Sequence, residues 1–142
     1  MANYYQLPLR TDWLMNKKRL PVCSLKHSIA QHLHLILSTY HGETAFAESY
    51  GCSLWNEEFN IQLNLRWKES CCESLKYAIE RFEKRFQLKD IRVTMEERTE
   101  NVENGLIRAR KCLHIDINGV IIKTNEQFHF NSTLFISPLA QR

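Results

Sequence analysis

Glycine is scarce in this sequence: the 142 residues include only four. A loop that cradles a phosphate group needs closely spaced glycines, because its backbone N–H groups must approach the anion. No such cluster occurs, and the G-x-S-x-G and Cys–His patterns of nucleophilic enzymes are missing as well. The sequence therefore lacks the short motifs that indicate catalysis by these routes, and we expect a protein that is not an enzyme.

Long apolar runs are also lacking, and we expect no secretory leader. No stretch approaches the roughly 20 consecutive apolar residues that span a bilayer, and MANYYQLPLRTDW lacks the basic-then-apolar order of a secretory signal. The five cysteines are odd in number and form no C-x-x-C pair. This usage favours reduced thiols that pack as small apolar groups. We expect a cytoplasmic protein without direct membrane insertion.

A large excess of one charge sign is missing too. The net charge is +3, and basic and acidic residues are interleaved except at Lys17, Lys18 and Arg19, which does not indicate nucleic-acid binding. Three histidines recur seven residues apart, at His27, His34 and His41. That spacing is about 10.5 Å along a helix, too far for ligands of one ion. We expect no metal, no other cofactor and no nucleic acid.

The length and composition predict one globular domain with an N-terminal extension. Hydrophobic residues make up 44% and charged residues 25%, and 142 residues are enough for a sizeable core. We predict an arm over residues 1–22 and one domain over residues 23–142. The arm carries apolar anchors that suit either its own domain or a partner: Tyr4, Tyr5, Leu7, Leu9, Trp13 and Leu14.

The first predicted helix follows Ser24, which has a side chain suited to the N-cap. Gly42 is suited to end it. Between them, apolar residues at helical spacing form one stripe: Leu25, Ile29, Leu33, Ile36, Leu37 and Tyr40. Further along, apolar residues alternate with polar ones in EFNIQLNLRW, which predicts a half-buried strand: Phe59, Ile61, Leu63, Leu65 and Trp67.

A second helix is predicted from Glu69 to Phe86. Its apolar stripe consists of Cys72, Leu75, Ile79, Phe82 and Phe86. In a straight helix Glu83 and Arg85 lie about 80° to either side of the centre of this stripe, so they do not pair with each other. Lys84 then faces away from the stripe.

The remaining sequence predicts strands. DIRVTM, LIRARKCLHIDINGVII and EQFHFNSTLFI are strand-like, whereas the polar ERTENVENG predicts a loop. Asn118-Gly119 fits either a two-residue hairpin turn or an interruption of one long strand. The fold class is α+β, in which two main helices pack on a small, mainly antiparallel sheet, with an extended N-terminal arm. An exposed sheet edge pairs readily with another chain unless the arm or a helix covers it.

Two separated segments resemble one known family. SIAQHLHLILSTYHGETAFAESYGCSLW is similar to a helix with the pattern I-x-x-x-L-x-x-(I/L)-L, followed by a T-x-x-G-E turn and a (Y/F)-G element. IERFEKRF before a strand resembles a Glu-Pro-Arg signature, with Lys84 in the place of the proline. These patterns are those of the phage baseplate wedge proteins once labelled lysozyme-like, which include TssE of type VI secretion systems. The resemblance covers roughly residues 24–136.

The resemblance implies a structural role in a contractile apparatus. In this family the Glu-Pro-Arg end docks on the wedge subunits TssF and TssG, and the C-terminal strands start the sheath of TssB- and TssC-like subunits by strand exchange. The implied baseplate partners also include a TssK-like protein. The implied partner-binding residues are Phe82, Glu83, Lys84, Arg85 and Phe86. The implied strand-exchange residues, which suit the sheet core equally well, are Leu113, Ile115, Ile117, Phe128 and Phe130. The assembly would be cytoplasmic and docked at a membrane.

Two other functions remain as alternatives. One branch of the family resembles a stress anti-adaptor, a regulatory binding protein that would require a response-regulator-like partner. The old family label also suggests a muramidase, for which paired carboxylates across a cleft are needed. Glu43, Glu48, Glu57, Glu58 and Glu83 qualify by residue type only, because nothing in their spacing places two of them across a cleft.

Overall fold

The computed structural model describes residues 4–39, 42–52, 65–102 and 105–136. Its elements follow the order strand, helix, strand, two helices and three strands. They are β1 (Tyr4–Tyr5), α1 (Thr11–Met15), β2 (Val22–Cys23), α2 (Leu25–Ser38), α3 (Leu65–Phe82), β3 (Phe86–Val102), β4 (Leu106–Ile121) and β5 (Glu126–Ile136). The α+β class predicted from the sequence is confirmed. Tyr40, His41, Phe59, Ile61 and Leu63, which the sequence placed in a helix or a strand, lie outside the described residues.

Helix α2 begins as the sequence predicts. The Ser24 side chain accepts a hydrogen bond from the His27 backbone N–H at 3.2 Å, which caps the first turn. The helix ends at Ser38, and the Thr39 hydroxyl donates back to the Leu35 carbonyl at 2.6 Å. Gly42 has a positive φ of 86° but lies beyond this end, so the helix stops earlier than predicted. Of the predicted stripe on the described part of α2, Leu25 is partly buried and the other four residues are buried: Ile29, Leu33, Ile36 and Leu37.

Helix α3 is displaced toward the N-terminus relative to the prediction. It already includes Leu65 and Trp67, so the predicted strand is wrong at these two positions. Leu65 lies seven residues before Cys72 and therefore continues the helical stripe. The helix ends at Phe82, so the prediction that it continues to Phe86 is also wrong.

The three long strands form one antiparallel sheet in the order β3-β4-β5. A loop was predicted over residues 97–105. This prediction is wrong over residues 97–102, because β3 continues to Val102, which pairs with Leu106. Pairing between β4 and β5 begins only at Lys111, opposite Ile136, so the outer part of the β3–β4 hairpin is a two-stranded ribbon. A ribbon with no third strand does not need an apolar face, and its polar sequence is therefore compatible with strand structure.

Asn118-Gly119 interrupts no strand and forms no hairpin, because both residues lie inside β4. Gly119 is opposite Leu88, next to a register shift between Leu88 and Asp90. A Cβ atom at Gly119 would come within 2.3 Å of the Gln87 carbonyl oxygen and 2.4 Å of the Phe86 ring. Glycine is thus required here by the close approach of β3, rather than by a turn.

The core lies between the two main helices and one face of the sheet. Residues of α2, α3, β3, β4 and β5 belong to a single buried cluster. Its central strand contributes Leu113, Ile115, Ile117 and Ile121, each at most 1% exposed. All five cysteines are free thiols, and Cys52, Cys71 and Cys112 are buried.

The N-terminal arm is attached to its own domain at its root. Strand β1 pairs with β2, with Tyr4 opposite Cys23 and Tyr5 opposite Val22. The Gln31 side chain on α2 accepts from the Leu7 backbone N–H at 3.0 Å and donates to the Tyr5 carbonyl at 2.9 Å. The sequence left open whether the arm packs on its own domain or on a partner. The root of the arm packs on helix α2 of the same chain.

Candidate partner-docking site

The Glu83 carboxylate is the centre of the candidate site, and it is buried inside the monomer. The side chain is 2% exposed. Glu83 follows the last residue of α3, and its Oε1 atom accepts a hydrogen bond from the Arg85 backbone N–H at 3.1 Å. The Arg85 guanidinium closes over the same carboxylate, with Nε 2.8 Å from Oε1 and Nη2 2.8 Å from Oε2. Two charge-assisted bonds in parallel form a strong, orientation-specific ion pair.

The expectation that Glu83 and Arg85 remain apart on opposite flanks of a helix is wrong. The helix ends before both residues, and the chain reverses direction into β3 at Phe86. By binding the Arg85 N–H, the Glu83 side chain supports this reversal, and the Ile122 N–H fixes the turn to the sheet by donating to the Arg85 carbonyl at 3.0 Å. Lys84 does not prolong the helix in the place where the family has proline.

Helix α2 supplies a second layer of contacts to this ion pair. Ser28 and His32 are four residues apart and therefore share one face of the helix. His32 Nδ1 lies 2.7 Å from Glu83 Oε2, and Arg85 Nη1 donates to the Ser28 hydroxyl at 2.8 Å. The Arg85 guanidinium also lies 5.3 Å from the centre of the Tyr4 ring, within cation–π range. The pair thus joins the α3–β3 turn, α2 and the root of the arm.

The surroundings of Glu83 and Tyr50 shift the pKa values of both groups away from neutral pH. Burial by itself raises the pKa of Glu83, but hydrogen bonds from Arg85 and His32 outweigh burial and lower that pKa to about 2. Burial, together with the negative charge of Glu83, raises the pKa of Tyr50 to about 12. The Tyr50 hydroxyl is buried and has no hydrogen-bond partner among the described residues. At neutral pH Glu83 is therefore ionised and Tyr50 is protonated.

The other predicted partner-binding residues divide into exposed and buried ones. Lys84 is exposed, and its Nζ atom donates to the Glu80 carbonyl at 3.1 Å. Phe82 is half-buried, with its ring in edge-to-face contact with Tyr50 at 4.8 Å between centroids. Phe86 is buried and contacts the Phe128 ring. Glu83 and Phe86 are thus internal, whereas Lys84, part of Phe82 and part of Arg85 face outward.

Two exposed residues of α3 extend this outward surface and were not predicted as site residues. Tyr77 and Arg81 lie one turn apart, and Arg81 Nη1 is 3.3 Å from the Tyr77 hydroxyl. The Arg81 guanidinium also lies 5.3 Å from the centre of the Phe82 ring. A tyrosine four residues before an arginine on a predicted helix is the signal that would have located them. We call this surface the α3-end patch: Tyr77, Arg81, Phe82, Lys84 and Arg85.

The residues considered for strand exchange fall into two groups. Leu113, Ile115 and Ile117 lie on β4, the middle strand, with their side chains buried. They are core residues, and the interpretation of these three as an edge is wrong because both sides of β4 are paired. Phe128 and Phe130 lie on β5, an outer strand, and both are half-buried against the core.

Within the described residues, no three His, Cys, Asp or Glu side chains are grouped so that they could hold a metal ion. None of the helices in this part of the chain is long and apolar enough to cross a membrane.

The family assignment follows from a match in sequence that agrees with this geometry. The family model described as baseplate wedge protein gp25 matches residues 23–126, which include α2, α3, the Glu83–Arg85 turn and most of the sheet. The chain belongs to the baseplate wedge protein gp25 family. It is accordingly a baseplate component of a phage tail or of a related contractile injection system, and it contacts other baseplate components.

A solved structure supports the fold of this gp25-family chain. The crystal structure of a Geobacter sulfurreducens protein that bears the name tail lysozyme aligns with a TM-score of 0.64 and 22% sequence identity. The alignment covers 86% of this chain and 100% of that chain. At this identity the likeness concerns the fold alone. No curated protein matches the sequence.

Proposed function

We propose that this chain is a non-enzymatic baseplate protein of a type VI-like contractile apparatus in the cytoplasm. It docks on wedge subunits through the α3-end patch and starts sheath assembly with an outer strand of its sheet. The observation that carries the proposal is the buried Glu83–Arg85 pair, which fixes a turn beside an exposed surface of aromatic and basic side chains. Tyrosine and arginine are enriched among the residues that dominate protein interfaces.

The geometry supports an indirect role for Glu83. Because its carboxylate is occupied by Arg85 and His32, Glu83 positions Arg85 and the turn rather than contacting a partner itself. The exposed residues Arg81 and Lys84 would then provide charge complementarity to an acidic surface of the wedge subunits. Wedge proteins of the TssF and TssG type are the proposed partners at this patch, with a TssK-like protein in the same assembly.

The same proposal includes that the protein does not hydrolyse cell-wall glycan. A glycosidase of the usual kind needs one carboxylic acid that is protonated near neutral pH and a second carboxylate across a cleft. Glu83 has a pKa of about 2 and is bonded on both oxygens, which is unsuited to proton donation. This supports a structural role over hydrolysis of cell-wall glycan.

Co-expression with TssF- and TssG-type wedge subunits tests the docking. Arg81→Glu combined with Lys84→Glu should reduce co-purification at least ten-fold, because two exposed charges of the patch are reversed. The melting temperature should change little, since both side chains are exposed.

The matched control reverses two exposed lysines that are not members of the patch and that line a pocket with Leu88 and Ile91, Lys76→Glu with Lys89→Glu. This variant should co-purify as the unaltered chain does. Equal binding by both variants would remove the patch from the interface. A response regulator bound in place of wedge subunits would favour the anti-adaptor alternative.

A further inference from the structure

The N-terminal arm encloses a loop that projects between two paired strands. We call residues 6–21 the arm loop; β1 and β2 pair at its base, and the Gln6 N–H donates to the Pro21 carbonyl at 3.0 Å. Helix α1 lies within this loop, and none of its residues is buried. The arm loop is therefore held at its root, and its tip faces solvent.

The arm loop contains the whole net charge of the chain. Four of the 19 basic residues and one of the 16 acidic residues lie in it, so the rest of the sequence carries 15 of each. The basic residues are Arg10, Lys17, Lys18 and Arg19, and all four are exposed. The one acid, Asp12, pairs with Arg10 through two contacts of 3.2 Å. The molecule is thus electrically polarised, with a positive loop on a neutral domain.

Exposed apolar side chains accompany this charge. Six of the ten exposed large hydrophobic residues in the described part of the chain lie within residues 4–22: Tyr5, Leu7, Leu9, Leu14, Met15 and Val22. Met15 is 86% exposed and stands with Leu14 at the end of α1, immediately before the basic run. Leu14 and Met15 lie at the tip, whereas Tyr5 and Val22 lie on the paired strands at the base of the loop.

Much of the backbone of the tip is hydrogen-bonded within the loop. The N–H groups of residues 11, 13, 14, 16, 17 and 18 all donate to carbonyl oxygens within the loop. The Asn16 side chain adds a bond to the Asp12 carbonyl at 2.9 Å. Backbone groups that are already paired favour a position at the headgroup boundary, because water is scarce on the hydrocarbon side of that boundary. Six N–H groups of the tip are already paired in this way.

We propose that the arm loop binds peripherally to the surface of an anionic phospholipid bilayer. Leu14 and Met15 would enter the headgroup boundary, and Lys17, Lys18 and Arg19 would face the acidic headgroups. Apolar residues next to a basic run are the features that place a segment on such a surface without spanning it. A protein partner would have to supply an acidic pocket for a projecting tip, whereas a fluid bilayer accepts the projection directly. The inference is independent of the docking proposed above.

Sedimentation with vesicles tests the inference on the full chain. Vesicles of phosphatidylcholine with 30% phosphatidylglycerol should bind the protein at about 0.1 M salt, and binding should weaken as salt screens the charges. Pure phosphatidylcholine vesicles should bind it far more weakly. Replacing Lys17, Lys18 and Arg19 by glutamine should reduce binding about 100-fold, since each basic residue near an anionic surface contributes about five-fold.

The apolar contribution separates a bilayer from other polyanions. Leu14→Ser with Met15→Ser retains every charge and should reduce vesicle binding about ten-fold. The matched control, Phe46→Ser with Ile122→Ser, removes two exposed apolar residues outside the arm and should bind normally. The proposal is overturned if the unaltered chain does not bind anionic vesicles. It is equally overturned if the Leu14/Met15 variant binds undiminished, because a purely electrostatic contact suits any acidic partner, including protein.

Discussion

At the residue scale, one carboxylate determines the conformation of the candidate site. Glu83 binds the Arg85 N–H, the Arg85 guanidinium and His32 at the same time. Arg85 therefore cannot be changed as a simple surface charge. Arg85→Glu would place two carboxylates together and remove the guanidinium that pairs with the buried Glu83, so urea unfolding should show a marked loss of stability. Breaking a buried pair in this way costs about 3–5 kcal/mol.

The Glu83 interaction should also be visible in the pH dependence of stability. The pKa of Glu83 falls from its ordinary value of 4.5 to about 2 in the folded chain, so the folded state binds this proton less tightly than the unfolded state. The resulting stabilisation, about 3 kcal/mol, is present above pH 4.5 and is lost as the pH falls toward 2. Urea unfolding of the unaltered chain and of Glu83→Gln, compared between pH 7 and pH 2.5, measures it.

The difference between these two curves should shrink as the solution is acidified, because glutamine does not titrate. Glu80→Gln serves as the control, since Glu80 lies one turn earlier and is exposed. Its stability should stay within about 0.5 kcal/mol of the unaltered chain. Parallel curves for the unaltered chain and Glu83→Gln across this range would contradict the assigned pairing.

At the element scale, the sequence predicts helices better than it predicts where they end. Helix α2 was predictable because Ser24 and the stripe from Ile29 to Leu37 are local signals. The end of α3 was not, because the apolar residue Phe86 is in helical phase with Phe82 although it belongs to β3. Just beyond the helix, the Glu83 side chain binds the Arg85 N–H, and the pair contacts His32 and Ser28 of α2; periodicity does not contain these tertiary contacts.

The outer strands illustrate the same limit for the sheet. Sequence alternation identified the strands around residues 113–117 and 128–130, but it did not give their order. Because β4 is paired on both sides over residues 111–121, the unpaired sheet edges along that stretch belong to the outer strands β3 and β5. The polarity of residues 97–102 suggested a loop, although these residues form a ribbon with β4.

Sheath initiation can be tested on these outer strands. Lysine on an edge strand hinders pairing with another chain, so Gln127→Lys with Asn131→Lys on β5 should reduce sheath polymers formed with co-expressed TssB- and TssC-type subunits several-fold. Binding to wedge subunits should be unaffected. The matched variant on the other outer strand is Gln87→Lys with Thr94→Lys. A loss in one variant identifies the strand that exchanges, and no loss in either would contradict strand exchange.

At the scale of the whole molecule, the charge distribution separates the arm from the domain. The predicted division at residue 22 implies that residues 23–142 fold without the arm. The domain would retain Ser24 as the cap of α2 and would lose the β1–β2 pairing, the two bonds to Gln31 and the Tyr4–Arg85 contact. It would also lose the net charge, since 15 basic and 15 acidic residues remain. Stability therefore measures the loss of the arm's contacts, and solubility measures the loss of its net charge.

Deletion of residues 1–22 should leave a folded chain, with a free energy of unfolding lower by about 1–3 kcal/mol. Circular dichroism and urea unfolding measure this loss. Solubility should fall near neutral pH, because a molecule without net charge associates more readily. Full-length protein with Lys17, Lys18 and Arg19 changed to glutamine has the same zero net charge and an intact arm, so it should lose solubility but keep its stability. An unfolded deletion variant would instead make the arm an integral part of the domain, because the anchoring by Gln31 and Arg85 would then be required for folding.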